Sequence, residues 1–196
     1  MSEVPSLILA SGSPRRRDLL EEAGYSFEVI KPEIEEIEDG SLPIREVTAD
    51  NAMLKAAAVS LANPEAVIIA ADTLVLLGER NLSKPLDKAE ATSMLHSLNG
   101  KSHQVFTAVT LMQSKPKKQH RFTIATDVHF KTLTTDEMAT YHDRINPMDK
   151  AGAYAAQEHG ELIIERIEGS MTNVIGLPMD EVREALETEF GITPTR

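Results

Sequence analysis

The stretch AVIIAAD, residues 66–72, limits most tightly what this chain can fold into. Val67 to Ala71 is wholly apolar, and after Asp72 and Thr73 the run resumes as LVLL before turn residues at Gly78 to Asn81. A run of this kind reads as a buried strand passing through Asp72. Asp72 also marks the point where the wholly apolar run ends, and in doubly wound sheets strand ends border the ligand crevice. A buried carboxylate is costly unless paired, so Asp72 is expected to have a partner.

Around this strand, apolar runs and helical patterns alternate. Leu7 to Ala10 reads as a short buried strand, and the helix opening at Ser13 stops near Gly24. YSFEVIKP is a second strand, followed by the acidic, turn-rich EIEEIEDGS. TADNAMLKAAAVSLAN is a helix by propensity, with Leu54, Ala58 and Leu61 on one face. LDKAEATSMLHSLNG is another, capped by Asp87 with Glu90 completing a capping box. HQVFTAVTLMQ and RFTIATDVHFKTL form a hairpin through the Lys-rich SKPKKQ. Thr134 to Glu137 opens a further helix, ELIIERIEG reads as a late strand, and LPMDEVREALETEFG as an amphipathic C-terminal helix. Alternation in the first half plus a hairpin in the middle predicts an α/β fold with a mixed central sheet.

SGSPRRRDLL, residues 11–20, poses an electrostatic problem. Ser13 suits an N-cap and Pro14 the first helical position. Yet Arg15, Arg16 and Arg17 crowd the first turn, where exposed N–H groups already carry partial positive charge and carboxylates are expected. An anion bound there would satisfy the helix dipole and the guanidinium groups together. The alternative is that the arginines point to solvent or pair with Glu21 and Glu22.

Bulk properties narrow the function. The 196 residues can bury a real core, and the net charge of −11 argues against a surface that tracks nucleic-acid phosphates. It leaves room for a small anion held by a local basic cluster, with a divalent cation offsetting the repulsion. No cysteine means no disulfide and no thiolate chemistry. No stretch approaches the roughly 20 apolar residues of a membrane span, and the opening MSEVPSLILAS lacks the pattern of a secretory signal, so a cytoplasmic protein without membrane attachment is expected. The Walker loop and GxGxxG are absent. His96, His103, His120, His129, His142 and His159 show no metal-ligand spacing and read as surface or packing residues. Lys115, Lys117, Lys118 and Arg121 read as a solvated hairpin tip.

LILASGSPRRRDLLEEAG, EIEE, ADT, KP, DKAGAYAAQ and SMTNVIGLP, in this order from about Leu7 to Pro178, resemble the Maf-like nucleoside triphosphate pyrophosphatases. Arg15, Thr73 and Gln157 make the resemblance closer to the dTTP/UTP branch than to the 7-methyl-GTP branch. Three places depart from the common pattern: Ala70 replaces a Gly before Ala-Asp-Thr, Ser83 a Gly before Lys-Pro, and Glu158 a Gly after Gln157. The resemblance implies an inosine-triphosphatase-like architecture, a single Maf-like domain over residues 1–196 with a cleft between two lobes. It also implies hydrolysis of dTTP, UTP and modified pyrimidine nucleotides to monophosphate and pyrophosphate, assisted by Mg²⁺, Mn²⁺ or a similar ion. A homodimer and a housecleaning role in the nucleotide pool are implied as well.

Carried over residue by residue, the resemblance implies that Ser11, Ser13 and Arg16 bind phosphate and that Arg15 bears on base choice. Lys55 and Lys84 contact phosphate; for Lys55 the plain alternative is a snorkelling surface lysine. Asp72 accepts the proton of the attacking water, and Glu36 joins Asp72 in holding the metal, ahead of Glu33 and Glu35. Glu38 and Asp39 read as a solvated acidic loop with them. Thr73 and Gln157 offer hydrogen bonds to a pyrimidine edge. Asp149 and Lys150 are either a structural ion pair or, through Lys150, a phosphate contact. Two rivals remain: 7-methyl-GTP specificity, and a nucleotide sensor linked to cell division that does not hydrolyse its ligand.

Overall fold

A computed structural model describes residues 5–37 and 42–195, so the expectations for Glu38 and Asp39 lie outside the described residues. The strands are β1 (Leu7–Ala10), β2 (Glu28–Ile30), β3 (Val67–Leu77), β4 (Arg80–Leu82), β5 (Ser102–Gln113), β6 (Lys118–Phe130) and β7 (Ile164–Glu168). The helices are α1 (Pro14–Glu22), α2 (Ile44–Ser60), α3 (Lys88–Leu98), α4 (Thr135–His142), α5 (Gly160–Ile163), α6 (Met171–Ile175) and α7 (Met179–Phe190). The sheet runs β2-β1-β3-β5-β6-β7, with β4 paired to β3. It is mixed: β1 is parallel to β2 and β3, whereas β3–β4 and β6–β7 are antiparallel. Among the described residues no helix is long and apolar enough to cross a membrane.

The chain divides into two units. The first comprises residues 1–72, 107–124 and 176–196, and the second residues 73–106 and 125–175. In the first, the period of two along a strand sorts β1 and β3 into two cores. Leu7, Leu9, Val67, Ile69 and Ala71 join Val182, Leu186 and Phe190 of α7. Ile8, Ala10, Ile68 and Ala70 join Ala56 and Val59 of α2. Helices therefore cover both faces, which is why the β3 sequence is apolar without alternation.

Helix ends follow local chemistry. After α1, Gly24 takes φ +83°, while its N–H reaches the Glu21 carbonyl at 3.0 Å and the Tyr25 N–H reaches Leu20 at 3.1 Å. This is the left-handed close that glycine permits. Asp87 caps α3 by accepting from the Glu90 N–H at 2.8 Å, but the Glu90 carboxylate turns to the Leu86 N–H at 2.7 Å instead of to Asp87. Thr134 and Glu137 form the complete capping box on α4.

Four expectations are corrected. Ser13 occupies the N-cap position of α1, but its side chain makes no capping bond; the Ser11 hydroxyl accepts the Ser13 N–H at 3.1 Å instead. β3 passes through Asp72 and continues to Leu77 as the apolar pattern predicts, so it is the placement of Asp72 at a strand end that fails. ELII turns as the short helix α5, and the strand begins only at Ile164. On α2, Leu54 and Leu61 are exposed, Leu61 at 86%, whereas Val47, Asn51, Ala52, Lys55, Ala56 and Val59 are buried.

Candidate active site

Strand alternation explains where Asp72 goes. Ile68, Ala70 and Asp72 share one face of β3, and the first two lie in the core with Ala56 and Val59 of α2. Asn51 and Lys55 are one helical turn apart on the buried side of the same helix. The polar end of this packed face is therefore built from Asp72 on the strand and Asn51 and Lys55 on the helix. The Lys55 ammonium lies 2.7 Å from Asp72 Oδ1 and 3.0 Å from Glu36 Oε2. Lys55 is 7% and Asp72 5% exposed, so the snorkelling alternative for Lys55 is excluded and Asp72 has the partner its burial demands. Removing either charge would leave the other buried and uncompensated.

Asn51 Nδ2 approaches Asp72 Oδ2 at 3.4 Å and the Ile37 carbonyl at 3.1 Å, while its Oδ1 accepts the Ile37 N–H at 2.7 Å. Sequence reasoning missed this residue. The signal was its place one turn before Lys55, on the side of α2 that propensity alone left unassigned.

At the opening of α1 the three arginines take different roles. Arg17 is at the surface, 2.9 Å from Asp18 and 3.7 Å from Glu21. Arg16 turns inward: its Nε donates to the Gly176 carbonyl at 2.7 Å and its Nη1 to the Ser11 hydroxyl at 3.4 Å. Burial lowers the Arg16 pKa to about 10, with Asp72 and Glu36 pulling it up and Arg15 pushing it down. It remains a cation at neutral pH, and the charges of Asp72 and Glu36 act on it directly. Gly176, which takes φ +123°, is the second residue that sequence reasoning missed. Its IGLP context showed a turn but gave no sign that its carbonyl would hold an arginine. Arg15 is half-buried beside Arg16. The first unit thus brings together Ser11, Ser13, Arg16, Glu36, Lys55 and Asp72; Glu33, Glu35 and Glu36 are all exposed, and Glu36 is set apart by its ion pair with Lys55.

The second unit carries Thr73, Lys84 and Gln157. Thr73 follows Asp72 on β3 and is half-buried. Lys84 is exposed beside Ser83, whose carbonyl accepts the Gly152 N–H at 3.1 Å, so the SKP segment and the DKAGAYAAQ loop are joined. Gly152 has φ +70°, and a Cβ there would lie 3.1 Å from Val75 Cγ2, which accounts for glycine at this junction. Lys150 is buried with its ammonium 2.9 Å from Asp149, 2.8 Å from the Asn146 carbonyl and 3.5 Å from Glu158. These contacts include the Asp149–Lys150 ion pair. The Tyr141 hydroxyl grips Ala155 at both its N–H, 2.9 Å, and its carbonyl, 3.0 Å. Beyond this braced loop Gln157 is exposed, and its Nε2 donates to Glu158 Oε1 at 3.2 Å.

Residues 6–189 match the family described as Maf-like protein. The chain belongs to the Maf family. It is similar to proteins named dTTP/UTP pyrophosphatase. The Akkermansia muciniphila relative is 44% identical over 183 residues, covering 93% of this chain and 96% of the relative. The Bdellovibrio bacteriovorus relative is 43% identical, covering 93% and 97% respectively. The Bacillus pumilus relative is 44% identical, covering 96% and 98%.

Within this Maf-family chain, the donor set at Glu36 and Asp72 can be tested against a divalent cation. Among the described residues no group of three His, Cys, Asp or Glu side chains converges as an all-protein metal cage. Two carboxylates do converge on one positive centre, the Lys55 ammonium. A pair of hard oxygen donors, completed by phosphate oxygens and water, is the way Mg²⁺ is commonly bound at nucleotide sites. The residues fit an ion that arrives with its nucleotide.

Proposed function

We infer that this chain hydrolyses dTTP and UTP to the nucleoside monophosphate and pyrophosphate, with Asp72, Glu36 and Lys84 as catalytic residues. One observation carries the reading: two carboxylates meet on a buried ammonium, with the Arg16 guanidinium in their field. A site meant only to hold a polyanion gains nothing from carboxylates, whereas a site that must also take a proton from water needs one. The names of the full-length relatives supply the substrate.

The roles follow from what each group can do. Asp72 Oδ1 is held by Lys55, and Oδ2 keeps lone pairs for the proton of the attacking water. The water oxygen forms a bond to the α-phosphorus, the α–β bridging P–O bond breaks, and pyrophosphate leaves. Arg16, Lys55 and Lys84, with the Ser11 and Ser13 hydroxyls, bind the phosphate chain, and Arg16 enters this role already anchored through Gly176. Glu36 and Asp72 would hold a divalent cation, whose chemistry is to neutralise phosphate charge. Arg15, Thr73 and Gln157 face the base; a Gln157 amide whose nitrogen is engaged by Glu158 offers its oxygen to an imino N–H, which uracil and thymine possess.

A panel of triphosphates tests this reading. With Mg²⁺ present, dTTP and UTP should yield dTMP or UMP plus pyrophosphate, with CTP and 7-methyl-GTP turned over at least tenfold more slowly. Preference for 7-methyl-GTP would move the chain to the sister specificity. Tight binding of intact dTTP would make it a sensor.

A further inference from the structure

Asn51 is 2% exposed, lies on the inner side of α2, and belongs to none of the roles above. Its amide orientation is fixed by two opposite backbone groups of a single residue. Oδ1 accepts the Ile37 N–H at 2.7 Å and Nδ2 donates to the Ile37 carbonyl at 3.1 Å. One N–H is then left over, and it points to Asp72 Oδ2 at 3.4 Å. Ile37 follows Glu36 directly, and the described residues 31–37 form no strand or helix. Without a ladder of backbone bonds, such a segment depends on side-chain clamps to hold one conformation.

We propose that Asn51 is a positioning residue that fixes the Glu36 carboxylate relative to Asp72 by clamping Ile37 and touching Asp72 with the same amide. The inference rests on the assignment of Glu36 and Asp72 above. Only an amide of this length satisfies the geometry, because the position requires one acceptor and two donors on one planar group. Aspartate lacks the donors and would place a third carboxylate against Asp72, while leucine keeps the volume and loses every bond. Lys55 supplies the charge that attracts Glu36 and Asp72, but a single ammonium on a long stem does not fix direction; the planar clamp does.

The test compares wild type with Asn51→Leu and the smaller Asn51→Ser, each first shown to be folded by circular dichroism and a thermal melt. Two quantities are read: steady-state dTTP hydrolysis, and Mn²⁺ binding by calorimetry to the protein saturated with an α,β-imido analogue of dUTP. Positioning predicts a ten- to hundredfold fall in kcat, a dTTP KM within threefold of wild type, and at least tenfold weaker Mn²⁺ binding. Folded variants with wild-type kcat and Mn²⁺ affinity overturn the proposal. So does a fall in kcat with unchanged Mn²⁺ binding, since Glu36 would then hold its place unaided. Losses in both variants that only track the unfolded fraction overturn it as well. An active Asp72→Asn protein would instead defeat the underlying assignment, whereas an inert Asp72→Asn protein beside a fully active Asn51→Leu protein defeats this inference alone.

Discussion

Lys55 joins the two carboxylates of the site. It is the shared counter-ion of Asp72 and Glu36, and Asp72 is nearly buried. Lys55→Met should destabilise the protein by roughly 3 kcal/mol in urea unfolding at pH 7, the lower end for breaking a buried pair because Glu36 keeps some solvent. Asp72→Asn added to Lys55→Met should recover part of that loss, and a double variant no more stable than the single would show that the ion pair is not the cause. Ser13 separates function from folding differently. Its hydroxyl makes no capping bond, so Ser13→Ala should leave stability within about 0.5 kcal/mol while raising the dTTP KM several-fold. A stability loss near 1 kcal/mol, the usual cost of a lost cap, would mean the hydroxyl caps α1 in solution. Residue chemistry was legible where a side chain had one plausible demand. Asp72 needed a partner, and the sequence could not say it was Lys55, because that depends on which side of α2 faces β3.

At the scale of elements, the face of α2 is the clearest case where the sequence pattern misled. Hydrophobic spacing pointed to Leu54, Ala58 and Leu61, yet the helix buries the side bearing Asn51 and Lys55. That side also carries Ala56 and Val59, which pack with Ile8 and Ile68, and it brings Asn51 and Lys55 to Asp72 on the same face of β3. ELII was misread for a related reason: four residues are too few for period to separate a helical turn from a strand. By contrast β3, the Asp87 N-cap of α3, the capping box of α4 and the glycine close of α1 followed from local chemistry, whereas the Glu90 half of the α3 box did not form. In the second unit, His103 shows what packing adds. Its Nε2 meets the Tyr154 hydroxyl at 2.8 Å and its ring lies edge-on to Phe130 at 4.8 Å. Burial lowers the His103 pKa to about 4 from 6.5, with His129 acting in the same direction. The folded state thus favours the neutral ring, so this stabilisation is complete above pH 6.5 and declines as pH falls toward 4. Between pH 7 and 4.5 the wild type should lose about 2 kcal/mol more than His103→Gln, compared by urea unfolding at both pH values. Parallel losses in the two proteins would remove His103 as the source.

For the molecule as a whole, the net charge of −11 is the background against which a triphosphate must bind. On the proposed reading Arg16, Lys55 and Lys84 supply the local attraction, and the carboxylates at Glu36 and Asp72 partly cancel it. EDTA should therefore reduce dTTP turnover to background, and Mg²⁺ or Mn²⁺ should restore it; full activity in EDTA would leave Arg16, Lys55 and Lys84 as the sole neutralising groups. Separated motifs along nearly the whole chain made the family legible in the sequence. The clamp of Asn51 on Ile37 and the carbonyl of Gly176 under Arg16 were not legible, because backbone partners leave no residue type in the sequence.

The central claim is that Asp72 moves the proton in a reaction that splits dTTP between its α- and β-phosphates. The direct measurement sets wild type beside Asp72→Asn, following dTMP and pyrophosphate release together with dTTP affinity. The account predicts a fall in kcat of about 10²–10⁴-fold with affinity kept or strengthened. Undiminished release of dTMP and pyrophosphate by Asp72→Asn, or release of dTDP and phosphate by the wild type, would contradict it.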